Sequence, residues 1–206
     1  SGTNQQIEAR TASLTDAGEL WVGGGTWSQD NDLNMGLVKF DAKGKVSWST
    51  QVGEKGPSEV AHAMAIDPNG ASVLAGTRQS KGLISIYVVQ IAPTGNVGWE
   101  QNVGSEYAGR GYAVAKRANG EIFVAGTASK GAGAFTGILS GLSTNGKPLK
   151  VGSVLFGVDT HHFEDMALVD DKTLVLAGWT GKGNQQAGGG KGGKGGNVGG
   201  PAKPKY

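Results

Sequence analysis

At 206 residues and a formal net charge of +2, the chain is long enough for one sizeable core or a row of repeated units. It has no cysteine, which excludes disulfides, cysteine metal sites and cysteine nucleophiles, and no apolar run approaches the ~18 residues of a membrane-spanning helix. Residues 184–206 carry four lysines and no acid, so the remainder stands near neutral at −2 and has no electrostatic reason to bind nucleic acid.

Glycine is the commonest residue, with 38 copies, nine of them between Gly188 and Gly200. The others fall at repeating positions, where turns need positive φ or where backbones pass closely. The opening Ser1-Gly-Thr-Asn4 reads as a processed or excised start, or as a cloning scar at its first two residues.

In chain order, the first unit is predicted to hold strands over residues 7–14, 20–25, 35–40 and 46–52. The second unit repeats this over 61–67, 72–77, 84–91 and 97–103. Its turns are Pro68-Asn-Gly70 and Pro93-Thr-Gly95, where Pro presets the entry and Gly takes φ > 0. The near-continuous apolar run of residues 72–77 suits a strand buried on both faces. The third unit gives strands over 112–116, 122–126, 136–142 and 149–156. Its Pro148 predicts an edge or irregular last strand, and Lys150 stands where Trp48 and Trp99 stand in the earlier units. The fourth unit offers residues 165–169 and 173–178, joined by Asp170-Asp171-Lys172, and then gives way to Gly, Lys, Asn and Gln.

Two markers set the period. Alignment of Gly25, Gly76, Gly126 and Gly178 gives steps of 51, 50 and 52 residues, while Gly44, Gly95 and Gly146 recur every 51. A period near fifty with several short strands in each unit signals propeller blades or related arrays. No segment has a sustained 3.6-residue apolar period. The expected fold is therefore all-β: a propeller-like array of four-stranded antiparallel units, three complete and one half. The units span about 5–54, 55–105, 106–157 and 158–182, and residues 183–206 read as a flexible Gly/Lys-rich tail.

The stretches Val38-Lys-Phe-Asp41, Gly44-Lys-Val-Ser-Trp48 and Asp165-Met-Ala167, with the Ala-Gly-Thr strand ends, resemble blades of bacterial exported β-propeller proteins. The resemblance covers about residues 7–180 and implies an extracellular or cell-surface location. Gly44-Lys-Val-Ser-Trp48 also resembles the turn-and-tryptophan motif of quinoprotein blades, whose tryptophan packs between neighbouring blades. No quinone-binding set accompanies it. Three and a half units do not close a ring in the ordinary way, and the edge of the half unit is a template for strands from another chain.

Several side-chain groups are candidates for chemistry. His161-His-Phe-Glu-Asp165 is the densest group of metal-ligand types; adjacent histidines on a strand point to opposite faces, and the segment reads as a solvated loop before the unit's first strand. Asp30, Asp32 and Asn34 alternate like calcium ligands but lack the Gly and closing Glu of that loop, so a polar hairpin loop is preferred over a calcium site and no cofactor is expected. Trp48 and Trp99 share a repeat position and read as packing, whereas Trp27 and Trp179 lie at strand ends and suit stacking on a polysaccharide. Lys191 and Lys194 suit contact with an anionic polymer, including nucleic acid, or a solubilising tail. Gly23-Gly-Gly25 lacks the helix and Lys of a phosphate loop, and neither a nucleophile elbow nor paired carboxylates is evident. A non-enzymatic module that assembles with copies of itself, or docks on another β-repeat chain, is the expectation. A carbohydrate-binding propeller is the alternative and a quinoprotein fragment the third.

Overall fold

A computed structural model describes residues 7–27, 32–104, 107–129, 135–156 and 160–181, and within them all regular structure is β-strand. Unit one comprises β1 (Ile7–Leu14), β2 (Leu20–Trp27), β3 (Leu33–Phe40) and β4 (Val46–Val52). Unit two comprises β5 (Ser58–Ile66), β6 (Ser72–Ser80), β7 (Leu83–Ile91) and β8 (Val97–Val103). Unit three comprises β9 (Ala108–Lys116), β10 (Ile122–Ser129), β11 (Thr136–Leu142) and β12 (Pro148–Phe156). Unit four contributes β13 (Thr160–Leu168) and β14 (Leu174–Gly181). Each full unit is a four-stranded antiparallel meander and the last a two-stranded sheet, giving an all-β, propeller-like array.

Local chemistry explains why each unit turns where it does. In the first hairpins, Gly18, Gly70 and Gly120 adopt φ of 77°, 81° and 88°, and each N–H closes the turn on the carbonyl three residues back. The third-to-fourth-strand turns repeat this with Gly44, Gly95 and Gly146. Unit four lacks the glycine; the Asp170 carboxylate instead accepts the N–H groups of Lys172 and Thr173, which holds the Asp170 pKa below the usual range.

The first strand of every unit carries a bulge, at Arg10, His62, Tyr112 and Glu164, that leaves one residue without a cross-strand partner. Opposite each bulge lies a glycine, Gly24, Gly76, Gly126 or Gly178, whose added Cβ would overlap the carbonyl oxygen of Glu8, Val60, Arg110 or His162. This corrects the glycine alignment: Gly24, not Gly25, matches the other three, and the steps are 52, 50 and 52. The bulge also explains why the first strands of units two to four begin earlier than the apolar pattern indicates. The extra residue breaks the alternation halfway, hiding Ser58–Val60, Ala108–Gly111 and Thr160–Glu164. The segment 161–165 is accordingly strand, not loop.

Units pack through their faces. First strands lie beside one another, β1 with β5, β5 with β9 and β9 with β13. Trp21, Met35, Leu37 and Val52 of unit one meet Leu74, Tyr87, Val89 and Ile91 of unit two. Val73, Ile86, Val88 and Val103 meet Val114, Val124 and Ile138 at the next seam. Ala125 and Leu139 meet Phe163, Met166 and Leu176 at the third. Each buried aliphatic side chain stabilises the stack by roughly 1.5–3 kcal/mol relative to exposure. β6, central in its sheet, is buried on both faces over Ser72–Gly76, as its apolar run predicts. β12 is an edge strand with a register break near Pro148.

Candidate functional site

The seam between units one and two departs from the apolar rule. Glu59 of β5 stands directly across from Arg78 of β6, and its exposure is 0%. Arg78 Nε lies 3.3 Å from Glu59 Oε1, the Arg78 guanidinium donates to Glu54 Oε2 at 2.8 Å, and it stacks 5.2 Å from the Tyr87 ring. Tyr87 Oη donates to Glu100, and Asn102 shares a 3.2 Å hydrogen bond with Ser85. These groups border a pocket of about 350 Å³ lined by Arg78, Tyr87, Glu100, Gln101 and Asn102.

Among the described residues neither Glu59 oxygen receives a hydrogen bond, and neither does the buried Asn34 Oδ1. Both groups converge on Gly53: a Cβ there would lie 2.5 Å from Asn34 Oδ1 and from Glu59 Oε2. Burial, partly offset by Arg78 and reinforced by the charges of Glu54, Glu100 and Asp32, pushes the Glu59 carboxyl up to about 7. Burial and the bond to Glu100 raise the Tyr87 hydroxyl as well. A carboxyl poised near neutrality has the chemistry of a proton donor or acceptor. Glu59 is closed to solvent, however, so its protonation acts on the seam itself.

The group is peculiar to one seam. The matching cross-strand pairs are Ile7 and Thr26 in unit one, Gly109 and Ala128 in unit three, and His161 and Thr180 in unit four. Periodicity alone missed Glu59, Arg78 and Tyr87. The available signal was an acid and a base at one repeat position of unit two, visible only once the bulge fixes the alignment. At the other end of the same seam, a cleft of about 590 Å³ opens between the two first hairpin turns, bordered by Trp21, Lys39, Asp67 and Asn69.

The sequence candidates are scattered. Asn34 lies within β3, opposite Thr26, facing the Glu59 seam rather than a ligand loop. Asp32 accepts the Gly56 N–H at 3.0 Å. Asp30, Lys191 and Lys194 lie outside the described residues. Among the described residues no three His, Cys, Asp or Glu side chains converge on a point that would hold a metal ion. Trp27 and Trp179, 44% and 50% exposed, sit on different sheets at different repeat positions. Trp179 stacks on His162 with centroids 4.0 Å apart and donates to Glu164, so one ring face is already covered. Trp48 and Trp99 pack between units, against Gly95 and Gly146, as their shared position predicts.

The last unit leaves a face open. Val175 of β14 is 49% exposed, whereas Trp21 and Val73 at the same position of β2 and β6 are fully buried by the following unit. Among the described residues no strand pairs with the outer edge of β14. Among the described residues no helix is long and apolar enough to cross a membrane. No family model matches the chain, and no curated protein matches it.

Proposed function

We propose that this chain is a non-enzymatic, exported interaction module that joins copies of itself, or a larger protein, by strand completion of its fourth unit. The observation that carries the reading is the contrast along one repeat position. Where β2, β6 and β10 are central strands, β14 has among the described residues a sheet neighbour on one side only and exposes Val175 and Trp179. An edge with apolar side chains and open backbone groups is a template for another strand. Export rests on the resemblance of the repeat to exported propeller blades.

Light scattering combined with amide hydrogen exchange tests the reading. The expected result is a mass above 20.9 kDa at micromolar concentration, with β14 amides protected as mass rises and exchanging freely on dilution. Val175→Glu should disperse the assemblies. A monomer whose β14 amides are already as protected as those of β6 would refute the reading, since a covered edge receives no strand.

A further inference from the structure

The first two internal seams repeat one device on their outer side. Trp48 of unit one packs on Gly95 in the β7–β8 turn, its ring atoms 3.0 Å from where a Cβ would be. The Thr50 hydroxyl donates to the Gly95 carbonyl. Trp99 of unit two packs in the same way on Gly146 in the β11–β12 turn, and its Nε1 donates to the Thr144 carbonyl at 3.0 Å. Gly95 and Gly146 are buried beneath these rings.

Gly44 is the same turn residue in unit one, with φ of 78°, yet it is exposed and nothing lies within 4 Å of its Cβ position. Unit one thus presents the seat without the tryptophan. The described chain has none to place there. Trp48 and Trp99 are used, position 150 is Lys, Trp21 is buried in the first seam, Trp27 and Trp179 lie on second strands, and residues 182–206 contain no Trp. Among the described residues unit four has only its first two strands, and in units one and two it is the third and fourth strands that carry this turn and this tryptophan.

We propose that one β-hairpin from another chain serves both ends. Its first strand pairs antiparallel with β14, and the tryptophan of its second strand seats on the turn at Gly44, closing a ring of four units. The proposal rests on the reading that β14 is completed by added strands, and it names the partner's chemistry. That partner is a hairpin with a turn glycine and a tryptophan four residues later, the spacing of Gly44 to Trp48 and of Gly95 to Trp99. Four blades is the usual minimum for a closed propeller. The occupant is argued from continuity with the internal seams: the interface at Gly44 would be a further copy of two that already exist.

The probe is a synthetic peptide of residues 33–52, this chain's own hairpin of that pattern, labelled and titrated into the full chain with fluorescence anisotropy as the readout. The parent peptide is expected to bind, and Trp48→Ala in the peptide to weaken binding at least about tenfold. Gly44→Asn in the protein keeps a left-handed turn accessible and fills the seat. It should weaken the parent peptide by a similar factor and leave the Trp48→Ala peptide unaffected. Equal binding of the two peptides, insensitive to Gly44→Asn, would overturn the tryptophan seat while leaving strand completion standing. Absence of binding by either peptide would overturn both.

Discussion

Glu59→Gln keeps the shape of the buried side chain and removes its charge. The carboxyl titrates at about 7 in the folded chain against an ordinary 4.5, so between these values the folded state holds the proton more tightly than the unfolded state. The sign follows: this group's contribution is most favourable below the unfolded value and is lost as pH rises through the folded one. At 1.36 kcal/mol per pH unit, the displacement amounts to about 3 kcal/mol. For a chain of this size 1 kcal/mol moves Tm by roughly 2–4 °C, which makes the effect roughly 6–12 °C. The assay is thermal denaturation by circular dichroism of parent and variant at pH 5 and pH 8. Taking the difference between the two chains cancels the titration of every other acid. Glu59→Gln should gain on the parent by up to that amount from pH 5 to pH 8, while Glu54 continues to hold Arg78. A difference independent of pH would mean that Glu59 is ionised throughout. Extending the comparison to pH 3 reads the opposite case: a parent that loses stability relative to the variant as pH falls below about 4.5 would mean that the attraction of Arg78 outweighs burial.

Two further substitutions test the packing rules. Trp99→Ala removes the indole that covers Gly146 and its hydrogen bond to Thr144, and should cost about 3 kcal/mol in urea unfolding; a loss below ~1 kcal/mol would show that the seam does not depend on it. Gly76→Ala places a methyl group on the Val60 carbonyl opposite the His62 bulge, and should cost more than about 3 kcal/mol or prevent folding; a near-neutral effect in the same assay would dissolve the argument for close approach at that position.

Much of the fold was legible because it is written several times. β1, β4, β8 and β11 have the boundaries their apolar patterns predict, and the fourteen strands of the described residues fall into three and a half units. Part of what stayed hidden has its cause in the bulges. An extra residue at His62, Tyr112 or Glu164 reverses the inside-outside alternation, so the leading halves of β5, β9 and β13 look like loop to a period-two reading. The same shift let Gly25 stand in for Gly24. It also concealed that Glu59 and Arg78 face each other across a strand pair, because their pairing lies beyond the bulge. The site was illegible for a second reason: Asn34, Gly53 and Glu59 meet across a seam, and no spacing within one unit encodes a contact between units.

The breaks in the repeat are more informative than the repeat. An apolar seam is sufficient to hold two units, since the pair at the Glu59–Arg78 position is Gly109–Ala128 in unit three and the seam there is apolar. Burying a carboxylate against a guanidinium is at best neutral compared with that solution, because desolvation offsets the attraction. The first seam therefore gains little stability from its charges and acquires instead a sensitivity to protons near neutral pH. The first seam also carries Trp48 on Gly95, the same contact left incomplete at Gly44. If a hairpin from another chain closes the ring there, it packs on the unit whose opposite face bears Asn34, Gly53 and the charged seam. Protonation of Glu59 and occupancy of the seat at Gly44 then act on the same four strands, and hairpin affinity measured on either side of pH 7 reads the coupling between them.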